Sequence, residues 1–232
     1  MTRSRRFVET RTGSSRALWT LSLAGLCLIC LGTLAGGCST RASKEKQQYI
    51  LEAARQGQAL RPAIDGTLEV HRFSVDAAFT GRNLVYRLRR FEYETDAYRQ
   101  FLIAPGTMIT EQTRVWLADS GLFRRVLPSG SRIVPDYTLE GNVTALYGDF
   151  SDESAPAAVM ELRLFLLDNS GGTETVAFAQ TYRSATPVLD RTGEVFVEAL
   201  NRSLLDVLGR LEGDLQKEFS ARTEVALGPK PQ

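Results

Sequence analysis

Apolar positions in this chain recur at two different periods. Steps of two, the strand period, run through Leu84–Leu88 and Phe91–Glu94. In the second, Phe91 and Tyr93 share one face and Glu92 and Glu94 the other, so the two segments predict an antiparallel pair. Leu68–Val75 alternates less cleanly, but its β-branched and aromatic residues predict one strand. Tyr137–Leu146 and Ala158–Leu167 also read as strands. In the latter, Met160, Leu162, Leu164 and Leu166 oppose Val159, Glu161, Arg163 and Phe165. Asp168-Asn-Ser-Gly-Gly172 is a turn signal leading to a partner strand, Thr175–Ala185. Leu122–Leu127 is a further strand or the turn into one, and Tyr49-Ile50-Leu51 is where the first strand would begin.

Steps of three and four, the helix period, appear twice. Thr107–Ser120 follows Pro105-Gly106, carries Met108, Ile109, Thr113, Val115 and Trp116 on neighbouring positions, and is closed by Gly121. Glu194–Phe219 is the clearer helix: Phe196, Leu200, Leu204, Val207, Leu208, Leu211, Leu215 and Phe219 form a stripe opposite Glu198, Arg202, Asp206 and Arg210. Gly209 and Gly213 weaken its middle by about 1 kcal/mol each relative to alanine. Gln56–Gly66 carries no period and reads as a loop. No internal repeat and no second domain boundary is visible.

The amino-terminal segment follows neither period. Arg3, Arg5, Arg6, Arg11 and Arg16 precede an uncharged apolar run, Ala17–Leu34. Cationic residues that stay cytoplasmic, followed by apolar residues that enter the bilayer, are the pattern of an export leader. The run is 18 residues long, which also borders on a spanning helix. Three readings therefore compete: a cleaved leader, an uncleaved anchor helix, and a buried apolar segment. Ser4-Arg5-Arg6-Phe7-Val8 only faintly matches a twin-arginine signal, because Glu9 interrupts it.

Leu34-Ala35-Gly36-Gly37-Cys38 favours the first reading, because it resembles a bacterial lipobox. The aliphatic residue sits one step early, with Ala35 in its usual place. Cys27 and Cys30, preceded by bulky Leu26 and Ile29, are poorer candidates. Cleavage before Cys38 would make it the new amino terminus, carrying several lipid chains that anchor far better than one.

This cut changes the composition. The precursor has a net charge of +1 and three cysteines; residues 38–232 hold 23 basic against 26 acidic residues, a net charge of −3. Neither value suggests the basic face of a nucleic-acid binder. Cys38 becomes the sole cysteine, so disulfide and thiol chemistry leave with the leader. One histidine, His71, offers little for a zinc site.

Beyond the lipobox, an ordered series of segments carries a resemblance. Arg72-Phe-Ser-Val75, Gly81–Arg87, Tyr93–Tyr98, Pro105–Glu111, Leu117-x-x-Ser-Gly-Leu-Phe123 and Leu139-Glu-Gly141 resemble the ABC-type transport auxiliary lipoprotein family, of the paraquat-inducible-protein C type. The resemblance spans roughly residues 49–215. It implies an α/β fold, a single domain with a mixed sheet and packed helices, including the long C-terminal amphipathic helix. It implies partnership with an MCE-domain protein and with the permease and ATPase subunits of one ABC system. Such systems move phospholipids or other hydrophobic molecules across the Gram-negative envelope, and the role here would be docking and relay. A homo-oligomer around the MCE assembly is a further expectation. The alternative from another class is a stand-alone envelope-assembly or scaffolding lipoprotein.

The expected organisation is a lipoprotein signal peptide over 1–37, a tether over 38–48, the auxiliary domain over 49–220 and a flexible tail over 221–232. Ser39 follows the acylated cysteine, where aspartate is the familiar inner-membrane retention signal; outer-membrane anchoring facing the periplasm is therefore expected, ahead of inner-membrane retention.

Candidate chemistry is sparse. His71 lacks a Gly-x-Ser-x-Gly nucleophile and reads as a strand histidine on a polar face. Glu92, Glu94 and Asp96 read as a solvated charged surface, and Asp149, Asp152 and Glu153 as a turn, not a Ca²⁺ loop. No phosphate-binding Gly-x-x-x-x-Gly-Lys motif occurs, so the ATPase is another polypeptide. No enzyme activity, cofactor or metal is expected. Arg82, Tyr86 and Arg87 are the residue types enriched at interface centres and could contact a partner or an anionic headgroup, with ordinary strand decoration as the alternative. Gly121-Leu122-Phe123 reads either as an exposed apolar contact or as a turn that plugs the core. Replacing Cys38→Ala is expected to abolish palmitate incorporation and leave unprocessed precursor, as read by metabolic labelling and mobility on a gel.

Overall fold

The structure, a computed structural model, describes residues 45–60, 64–128 and 130–226. Cys38, the whole leader assignment and most of the tether assignment lie outside the described residues. In chain order the elements are β1 (Gln47–Tyr49), β2 (Ile64–Val70), β3 (Ser74–Val75), β4 (Asn83–Arg89) and β5 (Glu92–Phe101). Then follow α1 (Pro105–Ser120), β6 (Phe123–Val126), β7 (Tyr137–Asp149), β8 (Ala157–Asp168), β9 (Thr175–Pro187) and α2 (Gly193–Ala226). A single 3₁₀ turn, Ala77–Phe79, joins β3 to β4.

All nine strands form one mixed sheet organised around β7. One edge of β7 pairs antiparallel with β8 from Tyr137 to Asp149, and β8 pairs antiparallel with β9. The other edge takes three parallel strands in turn: β2 against 137–139, β3 against 142–143 and β4 against 148–149. The sheet widens from there through β6, parallel to β2, and through β5, antiparallel to β4, with β1 parallel on β5.

The helices pack on this sheet by the stripes that their periodicity predicts. Phe196, Leu200, Leu204, Val207, Leu208, Leu211, Leu215 and Phe219 are all buried, as are Met160, Leu162, Leu164 and Leu166 of β8. α1 starts with Pro105 in its first turn and stops at Gly121, whose φ of 69° is the left-handed cap. A side chain at Gly121 would also lie 2.7 Å from the Leu60 carbonyl, so the cap and the close approach both require glycine. Leu122 and Phe123 are buried, which makes this turn a core plug and not an exposed contact.

Several boundaries differ from the sequence expectation. The predicted strand Leu68–Val75 is two strands, β2 starting at Ile64 inside the expected loop and a break at 71–73. β1 reaches back to Gln47, into the segment read as tether, and α2 runs on to Ala226, into the segment read as tail. Each extension has a partner that local sequence does not reveal: Gln47 pairs with Arg99 of β5, and Arg222 donates to the Ala177 carbonyl of β9. Arg210 donates likewise to the Arg183 carbonyl at 2.8 Å, so two α2 arginines tie the helix to the outermost strand.

A buried ion pair joins the helices to the segment after β1. Arg55 contacts Glu212 at 2.8 Å with side chains only 8% and 13% exposed. The indole Nε1 of Trp116, on α1, donates to the same carboxylate at 2.8 Å. Ala53 N–H donates to Gln112 and Glu52 N–H to Asn201, at 2.8 and 3.0 Å, so the irregular segment is stitched to both helices. Removing one partner of such a pair strands the other charge. Glu212→Ala is expected to destabilise the domain by about 3–5 kcal/mol, as read from the shift of its urea unfolding midpoint.

Candidate functional site

The break between β2 and β3 is where a concave site forms. Val70 pairs with Leu139 and Ser74 with Asn142, so four steps on one strand answer three on β7. The extra residue is a bulge, uncommon between parallel strands. His71 N–H still reaches the Leu139 carbonyl at 2.9 Å. Phe73 N–H leaves the ladder and donates instead to Thr110 Oγ1 of α1, at 2.9 Å. The Thr110 hydroxyl donates in turn to the Gly106 carbonyl at 2.6 Å. Both backbone and hydroxyl groups are thereby satisfied in a buried setting.

The Phe73 ring turns inward and is 3% exposed. Two glycines make room for it. A Cβ on Gly141 would lie 2.6 Å from the ring, and one on Gly106 would lie 2.9 Å from the Phe73 carbonyl and 2.7 Å from Val75. Residues from three segments that carry the family resemblance, Arg72–Val75, Pro105–Glu111 and Leu139–Gly141, therefore meet at one side chain.

Above this floor lies a groove of about 420 Å³, lined by Glu69–Arg72 on one side and by Ile103, Thr107, Thr110 and Glu111 on the other, with Gly130 at its rim. That volume is within the range of small-ligand clefts. Val70 and Ile103 give it apolar wall, and Arg72, which has no hydrogen-bond or ion-pair partner among the described residues, gives it a cation. His71 lies at the mouth, half exposed, with its two ring nitrogens 3.6 Å from Glu69 and from Glu140. Glu111 is held below the ordinary carboxylate range by the Arg114 guanidinium, which outweighs its partial burial.

The residues offered from sequence as partner or headgroup contacts lie elsewhere. Arg82 is exposed and donates Nε to the Phe101 carbonyl at 2.9 Å. Tyr86 is half-buried, its ring centre 5.6 Å from that of Phe150 and 5.4 Å from that of Phe196 in edge-on packing. Burial and then the nearby Asp96 carboxylate push its hydroxyl up to about 12. Arg87 pairs with Asp149 on β7 and stacks 5.3 Å from the Tyr147 ring centre. Burial pushes the Asp149 carboxyl up, but hydrogen bonds from Arg87 and Ser151 outweigh it and hold the group below its usual range. Tyr86 and Arg87 thus meet at the crossing of β4 and β7; none of the three lines the groove.

Glu92 and Glu94 are exposed, but Asp96 is not part of their solvated surface: it accepts from the Tyr98 and Arg99 N–H groups at 2.9 and 3.0 Å. Asp152 accepts from Ser154 N–H at 2.9 Å, the turn expected there. No group of three metal-capable side chains occurs among the described residues. The groove itself was missed from sequence. Its only signal was that the Arg72–Val75 and Pro105–Glu111 segments belong to the resemblance, and nothing local placed them side by side.

Because the Phe73 amide depends on Thr110, Thr110→Val is expected to leave a buried N–H unsatisfied. The cost should be about 1–3 kcal/mol, measured by thermal or urea unfolding, with faster hydrogen exchange at the Phe73 amide.

Comparison with solved structures finds the same fold in a protein of Xanthomonas campestris. The TM-score is 0.63 at 20% identity, covering 77% of this chain and 98% of that one. An uncharacterized protein of known structure aligns with a TM-score of 0.58 at 13% identity, covering 74% of this chain and 99% of that one. No curated protein matches the chain. Residues 49–210 match the family described as the ABC-type transport auxiliary lipoprotein component, and with that span covered the chain belongs to this family.

Proposed function

We propose that the protein is the membrane-anchored periplasmic lipoprotein subunit of an MCE-type ABC transport system that moves phospholipids or other hydrophobic molecules across the Gram-negative envelope. The observation that carries this is the family match over residues 49–210, whose description names an auxiliary transport lipoprotein. The Gly36-Gly37-Cys38 sequence supports acylation at Cys38, and Ser39 supports outer-membrane placement facing the periplasm. The role is non-catalytic: the permease and ATPase act in separate polypeptides, and this chain docks the MCE-domain protein and relays cargo towards the anchored membrane. Self-association around the MCE assembly fits the same role.

Within this role the groove beside Phe73 is the docking place we assign to a segment of the MCE partner. It joins apolar wall, Val70 and Ile103, to polar and charged groups, Arg72, Thr107 and Glu111, which suits a peptide better than a bare acyl chain. Exposed Arg82 remains a second contact point, with Tyr86 and Arg87 setting the strand behind it.

The test is co-purification of the tagged, acylated protein with the MCE-domain protein from detergent-solubilised membranes. The wild-type protein should retain the partner. Ile103→Asp, at a position 46% exposed, should lose it while keeping the wild-type unfolding midpoint. Retention by the variant would remove the groove from the interface. Absence of the MCE protein from the wild-type complex would favour a stand-alone scaffolding lipoprotein.

A further inference from the structure

β1 and the end of β5 present an apolar face that the core does not use. The register pairs Tyr49 with Phe101 and Gln48 with Gln100, and Leu102 N–H donates to the Tyr49 carbonyl at 2.7 Å. Alternation along paired strands puts Tyr49 and Phe101 on one face. Phe101 is buried and Tyr49 packs against the core, so this face looks inward. Gln48, Ile50, Tyr98, Gln100 and Leu102 fall on the opposite face, where Ile50 is 44%, Tyr98 48% and Leu102 47% exposed. Two aliphatic side chains and a tyrosine, flanked by uncharged glutamines, make this surface largely apolar.

Its position in the chain matters more than its composition. Eight residues lie between Cys38 and Gln47, the first residue of β1. Fully extended, the nine steps from Cys38 to Gln47 span about 30 Å. An acylated Cys38 would hold β1 within that distance of the bilayer at all times, an effective concentration that makes a weak contact count. The intervening segment carries Arg41, Lys44 and Lys46 against Glu45 alone. Juxtamembrane cations of this kind are drawn to anionic headgroups. Tyrosine is a residue that prefers the headgroup level, with its ring in the apolar zone and its hydroxyl in water.

We infer that the face formed by Ile50, Tyr98 and Leu102 rests on the phospholipid bilayer to which Cys38 is anchored, so that the sheet meets the membrane by its β1–β5 edge. This rests on the acylation of Cys38 proposed above. The contact would set the orientation of the domain: β9, the edge strand reached from β5 through β4, β7 and β8, and its exposed Val176 would then stay in water.

The experiment uses the mature acylated protein reconstituted into vesicles of phosphatidylethanolamine and phosphatidylglycerol, with palmitate incorporation measured on each preparation. Trp116 is the sole tryptophan after Cys38 and is buried, so it gives a constant background. Leu102→Trp should show blue-shifted emission that is lost when the vesicles contain acyl chains brominated near the headgroup. Val176→Trp should keep its emission. Equal, unquenched emission from both variants in a palmitate-labelled preparation would overturn the proposed face while leaving the anchor intact. Absence of palmitate label would overturn the anchor and the face with it. Quenching of both variants would mean that the domain has no fixed orientation, which also overturns the proposal.

Discussion

The fold depends on how one strand satisfies its two edges. β7 is thirteen residues long and buried in the middle of the sheet. Every N–H and C=O along it needs a partner. β8 supplies them along one edge from end to end. The other edge is supplied by β2, β3 and β4 in succession, and no single one of these strands covers it. These strands run in the same direction as β7, one after another along its edge, and the chain leaves the ladder at each handover. The excursion between β2 and β3 is the bulge that expels Phe73, and the longer one between β3 and β4 is the 3₁₀ turn with Phe79 buried beneath it.

The groove follows from that constraint. Once Phe73 leaves the ladder, its amide must be satisfied elsewhere, and Thr110 of α1 does so. Once the ring turns inward, Gly141 and Gly106 must lack side chains. The residues on the outward side of the same bulge, His71 and Arg72, are left at the surface facing the start of α1. One backbone irregularity thus produces both a packed floor and a lined cleft, in a sheet whose other faces are occupied by helices or solvent.

The buried Arg55–Glu212–Trp116 cluster has a different part in the architecture. It does not replace hydrophobic burial, which the α2 stripe supplies, and buried ion pairs often add little net stability. Its effect is positional. The segment after β1 has no regular structure from Ile50 to Leu60, so it is located by side-chain bonds to α1 and α2. That location in turn sets where β1 lies on β5, and hence where the chain leaves the domain towards Cys38.

Much of this was legible in the residues alone. The α2 stripe, the Pro105 and Gly121 limits of α1, the β4–β5 pair and the β8–β9 pair are all products of local periodicity or turn chemistry, which are written in consecutive residues. The division of Leu68–Val75 into two strands was not legible, since the bulge exists only against the register of β7, more than sixty residues away. Nor was the use of Tyr86 and Arg87, which look like interface residues in sequence and are held by Asp96, Phe150 and Asp149 in space. Sequence by itself determined the two helices and the hairpin strands that follow local periodicity. Tertiary structure decided which segments meet, because backbone satisfaction across a sheet and the room left by absent side chains are properties of pairs of strands and not of any one of them.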